Sequence, residues 1–198
     1  AEKVVGEARR AAAPKLAKAV QQHLRTLAMA HAVVEVSVGA DPGDEVTFLL
    51  AANPGSPPLP LIKVASGGEL ARTMLALRLV LTQGPSTLVF DEVDAGIGGE
   101  AAVAVAGALA QLGHRHQVLV VTHLAQVAAA AHRQIRVSKT VKSKQTFAEA
   151  SELADQDRVG EIARMLSGGM AEEAALNYAS ELLKASSDRS SIQRRTRR

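Results

Sequence analysis

The sequence predicts an α/β protein: a mostly parallel sheet flanked by helices, entered through a long helix and a β-hairpin. Three observations carry this reading. Two short apolar runs, "STLVFDE" and "HQVLVVTH", alternate with stretches of helical period, the pattern of buried parallel strands joined by crossover helices. The first thirty residues keep an apolar stripe at helical spacing. Between them, "HAVVEVSVGADPGDEVTFLLAANPG" changes to a period of two around a turn signal.

Taken in order, residues 1–30 read as helix because Leu16, Val20, Leu24 and Leu27 fall on one face, with Pro14 marking a break or a helix start. Such a stripe is compatible with the root of a coiled coil. Val34, Val36 and Val38 alternate with polar residues, "DPGD" turns the chain, and "EVTFLLA" returns it. "NPGSPPLP" is a Pro-rich loop. Leu70, Met74, Leu77 and Leu81 mark the next helix, and "GGEAAVAVAGALAQL" the one between the two apolar strands. A short helix "LAQVAAAA", a strand "RQIRVSK", a possible partner strand "TFAEASEL" and two closing helices complete the chain.

Composition narrows the class. Apolar residues make up 47% of 198, enough for a sizeable core, but with three Phe, one Tyr and no Trp it must be built from Ala, Val and Leu. With no cysteine, disulfides and thiolate metal sites are excluded. No apolar run approaches the roughly 18 residues of a membrane span, and the charged N-terminus lacks the apolar centre of a secretory signal. It starts without Met, in the manner of a helix already under way, and the chain is expected to be a fragment. Net charge is only +3, but Arg194, Arg195, Arg197 and Arg198 crowd the end, and Lys139, Lys142 and Lys144 form a second cluster. Both are candidate contacts for nucleic acid, weighed against a solvated disordered tail and a polar hairpin.

Three motifs carry chemistry. In "LVFDEVDAG" a buried strand delivers Asp91 and Glu92 to its carboxyl end, where ligands sit in open α/β sheets. Alternation along a strand would aim them at opposite faces, one to hold Mg²⁺ and one to orient or deprotonate a water. "VLVVTHL" ends in Thr122 and His123, and parallel pairing would set His123 on the same edge, where an imidazole can hydrogen-bond a phosphate. "SGGEL" places Ser66, Gly67, Gly68 and Glu69 at a helix start. There the glycines admit close approach, and the free N–H groups and partial positive charge favour an anion. Ser167-Gly168-Gly169 repeats the tripeptide without Glu-Leu and reads as a plain turn and cap.

The ordered set SGGEL, LVFDE and VVTH resembles the C-terminal lobe of ABC-type ATPases of the SMC group, and Gly96-Ile97-Gly98-Gly99 resembles a DNA double-strand-break repair branch of that family. The resemblance covers roughly residues 15 to 185. It implies a returning coiled-coil root at 1–30, an ATPase lobe at 31–185 and a basic, disordered tail at 186–198. By motif, Ser66, Gly67, Gly68 and Glu69 would form the signature loop that meets the γ-phosphate of ATP held by an opposite subunit. Asp91 would support Mg²⁺, Glu92 would be the base, Asp94 would lie in the D-loop at a dimer seam, and His123 would sense the γ-phosphate. Implied partners are the chain's own N-terminal lobe, a second head and DNA, in the cytoplasm at the nucleoid. Departures from the family pattern are Ala71 for Ser, Ala125 for Pro, and His132-Arg133-Gln134 where Asp-x-His is usual. None touches the catalytic set.

The chain has no G-x-x-x-x-G-K-[ST] phosphate loop. ATP and Mg²⁺ are thus expected to bind tightly only with the missing N-terminal lobe, and the chain alone is expected to be inactive. Two rival readings stay open: a non-catalytic interaction or DNA-tethering module, and another SMC-like repair ATPase. A dinucleotide fingerprint at Gly96–Ala101 is set aside because Asp-Glu-Val-Asp separates strand from glycines. His114 and His116 read as a surface loop, having neither cysteine nor a neighbouring acid.

Overall fold

A computed structural model describes residues 2–63, 66–81, 83–142, 145–169 and 173–195, with backbone alone for 142, 155 and 188–195. The chain divides into two compact units, Ala1–Thr122 and His123–Arg198. This division falls inside the stretch expected as one lobe.

The first unit opens with α1 (Glu2–Thr26), which runs unbroken through Pro14. Proline inside a helix removes a hydrogen bond and costs about 3 kcal/mol. Burial on both sides offsets this: Ala13, Ala17, Val20 and Leu24 form the inward stripe. Leu16, expected on that stripe, is only half-buried, because the small residues Ala13 and Ala17 let the helix lie closer. A hairpin follows, β1 (Val33–Val38) against β2 (Val46–Ala51), antiparallel in the register Val34↔Leu50 and Val36↔Phe48. Helix α1 grips its turn. Arg9 Nη1 donates to Gly43 O at 2.8 Å, and Arg10 donates to Gly39 O at 3.0 Å and pairs with Asp41 at 2.5 Å. A Cβ on Gly43 would lie 2.9 Å from the Cα of Gly6, so both glycines serve a close backbone approach. The Pro-rich loop ends in a short strand β3 (Leu59–Pro60) paired to β2.

After a 3₁₀ turn, Leu61–Lys63, come α2 (Gly67–Val80), β4 (Thr87–Phe90), α3 (Gly99–Leu112) and β5 (Gln117–Val120). Strands β4 and β5 are parallel, Leu88 opposite Val118 and Phe90 opposite Val120, joined by the crossover helix. The stripe expected on α2 is buried only in part: Leu77 is buried and Leu70 half-buried, but Met74 and Leu81 are exposed, and Arg72, Thr73, Leu75 and Ala76 are buried beside Leu77. Helices α1 and α2 pack together, and small side chains at 73 and 76 suit that contact.

The second unit holds α4 (Ala125–Ala130), an antiparallel ribbon of β6 (Gln134–Lys142) and β7 (Gln145–Leu153), α5 (Asp155–Ser167) and α6 (Glu173–Arg195). The ribbon pairs from Gln134↔Leu153 to Lys142↔Gln145, as the pattern suggested. Its core joins Ala125, Ala128 and Ala129 to Ile162, Ala163, Ala179 and Leu182. Arg158 reaches the end of α4 and donates to the carbonyls of Ala128 and Ala129, both at 3.1 Å, and to that of Ala131 at 2.5 Å. The Ala128 carbonyl also accepts the Ala131 N–H at 3.2 Å, and the guanidinium adds a charged donor to the last carbonyls of this six-residue helix.

The α/β class holds; among the described residues its parallel pairing is that of β4 with β5, and the other ladders are antiparallel. One face of the parallel pair is also uncovered, with Val89 68%, Leu119 47% and Val121 62% exposed. Helix α3 carries the chain from β4 to β5 in parallel, whereas β1 and β2 follow one another directly through a short turn, which brings the second strand back antiparallel. The stretch expected as a disordered tail is helical through Arg195, since nothing after Glu173 interrupts the turn with proline or glycine. Arg197, Arg198 and Lys144, and the side chains of Lys142, Arg194 and Arg195, lie outside the described residues.

Candidate functional site

The start of α2 explains its own residues. Ser66 is the N-cap, in extended backbone conformation, and its hydroxyl accepts the Glu69 N–H at 3.4 Å. Gly67 is the first helical residue, and a Cβ there would run into the Glu92 carboxylate. Gly68 is buried: a Cβ would lie 2.9 Å from Ala95 O and 3.1 Å from Arg72 Nη1. Gly68 is thus required by the backbone of the loop after β4, whereas at Gly67 the neighbour is the end of the exposed Glu92 side chain, which can move aside. Thr73 returns its hydroxyl to Glu69 O at 2.8 Å and holds the first turn closed. Ser66 and Gly67 are exposed, so the N-terminus of α2 is open to solvent.

That loop carries the acidic residues. Strand β4 ends at Phe90, and Asp91 and Glu92 both follow it. Strand alternation therefore does not separate them; a turn does. Glu92 has φ +57°, left-handed for a side chain that rarely adopts it. Its N–H donates to Asp91 Oδ1 at 3.0 Å, while its own carboxylate turns toward Gly67. Both side chains are exposed. A single exposed carboxylate such as Asp91 suits Mg²⁺, which takes one or two protein oxygens and completes its shell with water and phosphate. Among the described residues, no cluster of three or more His, Cys, Asp or Glu is placed to hold a metal ion by itself.

Asp94 differs from the other acids. It is 2% exposed, and Thr122, just beyond β5, donates its hydroxyl to the Asp94 carboxylate. Asp94 is thus buried in the first unit and tied by this bond to the end of β5. Sequence reasoning named Thr122 only as the neighbour of His123; a hydroxyl at a strand end was the available signal. His123 is exposed and opens the second compact unit.

Arg72 carried no such signal, because an arginine on a helix ordinarily reads as solvated. Here it is 6% exposed, and its Nη1 donates to Ala95 O at 2.8 Å. Burial holds its pKa below the usual arginine value, partly opposed by the nearby Glu69 carboxylate. The glycines before α3 serve the turn: Gly96 and Gly99 have positive φ, and Gly98 is the N-cap. Ser167-Gly168-Gly169 works at the opposite end of a helix. Gly168 is the left-handed C-cap of α5, donating to Arg164 O at 3.0 Å. His116 sits in the loop before β5, its Nδ1 2.8 Å from Pro85 O.

The fold is similar to that of Smc head domains. The Smc head domain of Pyrococcus furiosus matches 69% of the chain with a TM-score of 0.52 at 19% identity, over 34% of its own length. That of Pyrococcus yayanosii matches 68% at a TM-score of 0.52 and 21% identity, over 26% of its length. In sequence, the chain is homologous to the DNA repair protein RecN. Identity is 49% to RecN of Deinococcus radiodurans over 81% of this chain and 29% of that protein. It is 44% to RecN of Streptomyces coelicolor over 89% and 34%, and 42% to that of Vibrio cholerae over 86% and 32%. The chain thus spans about a third of the length of the curated relatives it matches. No protein-family model matches the sequence.

Proposed function

We propose that this chain is the C-terminal lobe of an SMC-like ATPase head acting in DNA double-strand-break repair. It would supply the signature loop, an acidic pair and a sensor histidine to composite ATP sites formed when two heads meet. One observation carries the reading: a single compact unit presents a helix N-terminus open to an anion beside two exposed carboxylates at a strand end. The SMC-like fold and the RecN similarity support it. In this reading residues 1–30 are the returning coiled-coil root and the homodimer acts on DNA at the nucleoid. No helix among the described residues is long and apolar enough to cross a membrane.

Ser66 and the N–H groups of Gly67 and Gly68 at the open helix start receive the γ-phosphate of ATP held by the opposite head, while the Glu69 N–H caps the helix on Ser66. Glu92 takes the proton of the attacking water. Asp91 holds Mg²⁺, which when bound neutralises charge on the phosphate oxygens. His123 hydrogen-bonds the γ-phosphate. Asp94 acts indirectly, by fastening the loop. The P-loop comes from the N-terminal lobe.

The test is Mg-ATP turnover by this chain mixed with a P-loop-bearing N-terminal RecN lobe, wild type against Glu92→Gln, with each component alone as blank. Turnover confined to the mixture and lost with Glu92→Gln is expected. A folded, associated mixture whose turnover ignores Glu92 would discard the base. The uncovered apolar face of β4 and β5 favours a second reading, a non-catalytic module that docks on its N-terminal lobe. Association without turnover would select it.

A further inference from the structure

We propose that Arg72 is a positioning residue that locks the loop carrying Glu92 onto the first turn of α2. The inference rests on Glu92 being the base, and goes beyond it by naming what holds that base in place.

The path is short and continuous. Arg72 Nη1 donates to the Ala95 carbonyl at 2.8 Å. The Ala95 N–H in turn donates to the Glu92 carbonyl at 3.0 Å. The position of α2 therefore reaches the Glu92 backbone through two consecutive hydrogen bonds. Glu92 needs such support, because its left-handed backbone is strained and persists only where the surroundings over-determine it. On the far side of the loop Thr122 holds Asp94. The loop is thus tied to the end of β5 at Asp94 and to α2 at Ala95, directly after Glu92 and Val93.

A purely structural role explains Arg72 poorly. Burying a guanidinium has a large desolvation cost, and a leucine or methionine would fill the same space without it. Moreover, Arg72 Nε is buried and has no hydrogen-bond partner among the described residues, so the burial is not justified by full satisfaction. What arginine adds is a donor long enough to reach Ala95 O past Gly68, whose missing side chain opens the way.

The first experiment uses the chain alone: amide hydrogen exchange at Ala95 in wild type, Arg72→Met and Arg72→Lys. Methionine keeps the apolar volume and removes the donor; lysine restores one donor. Protection of the Ala95 amide is expected to fall about tenfold in Arg72→Met and to recover partly in Arg72→Lys, with β4 and β5 amides unchanged. Unchanged Ala95 protection in Arg72→Met overturns the proposal. If Arg72→Met does not fold, Gly68→Ala pushes the same carbonyl from the other side and must give the same local loss; undiminished protection there overturns the proposal too.

The second experiment is the lobe mixture described above. Arg72→Met is expected to lower kcat about tenfold and leave KM for Mg-ATP within about twofold, with partial rescue by lysine. In a Glu92→Gln background it should add nothing. Wild-type kcat in Arg72→Met overturns the functional part. Turnover indifferent to Glu92→Gln discards the base instead, a distinct result, and Ala95 exchange still decides whether Arg72 clamps the loop.

Discussion

Alanine at position 68 would carry its Cβ to 2.9 Å from Ala95 O, 3.1 Å from Arg72 Nη1 and 3.2 Å from Ala95 Cβ. The nearest of these is backbone and cannot swing aside, so the loop after β4 must move. Two effects compete. Glycine to alanine in a helix ordinarily stabilises by about 0.5–1 kcal/mol, through the entropy of the unfolded chain. Against it stand overpacking of about 1–3 kcal/mol and the strained Arg72 hydrogen bond, worth about 1 kcal/mol. The losses win, and Gly68→Ala should destabilise the first unit by about 1–3 kcal/mol. Gly107→Ala is the matched control: it lies in α3, has nothing within 4 Å of its would-be Cβ, and should stabilise by about 0.5–1 kcal/mol. Urea titrations of the isolated chain, followed by far-UV circular dichroism, compare the two midpoints. Opposite shifts are expected. A midpoint for Gly68→Ala raised as far as that for Gly107→Ala would refute the close approach between α2 and the loop, and with it the clamp on Glu92.

Further outcomes concern the two units and the site. Leu24→Ala removes a fully buried side chain from the α1 stripe and should cost about 2–5 kcal/mol, read as a lower urea midpoint. Arg158→Met strips three carbonyls at the end of α4 of their charged donor; about 1–3 kcal/mol should be lost, with amide exchange rising in α4 and leaving α2 unchanged. Glu92→Gln should abolish Mg-ATP turnover in the lobe mixture without lowering the melting temperature, since the side chain is exposed.

Periodicity and turn residues located the α1 stripe and the hairpin around Asp41–Asp44, and alternation located the β6–β7 ribbon although it is exposed along most of its length. On α2 periodicity was right only in part. Leu77 of the stripe is buried, but Met74 and Leu81 are exposed, and the buried face also takes in Arg72 and Thr73, each of which has a backbone hydrogen-bond partner. Hydropathy has no record of such partners. The same blindness hid the Thr122–Asp94 pair, whose members are separated by α3 and meet only through the register of β4 and β5.

The order of residues alone carries the inventory: a helix start with Ser66 and two glycines, an acidic pair after an apolar strand, Thr-His after the next, and the order in which they come. These are local facts, set by backbone preference and spacing of a few residues. Folding in three dimensions adds why position 68 must be glycine, which acid faces solvent and which is buried, and that an arginine ties helix to loop. Those depend on groups far apart in the chain arriving within hydrogen-bond distance, and no pattern along the chain encodes that distance.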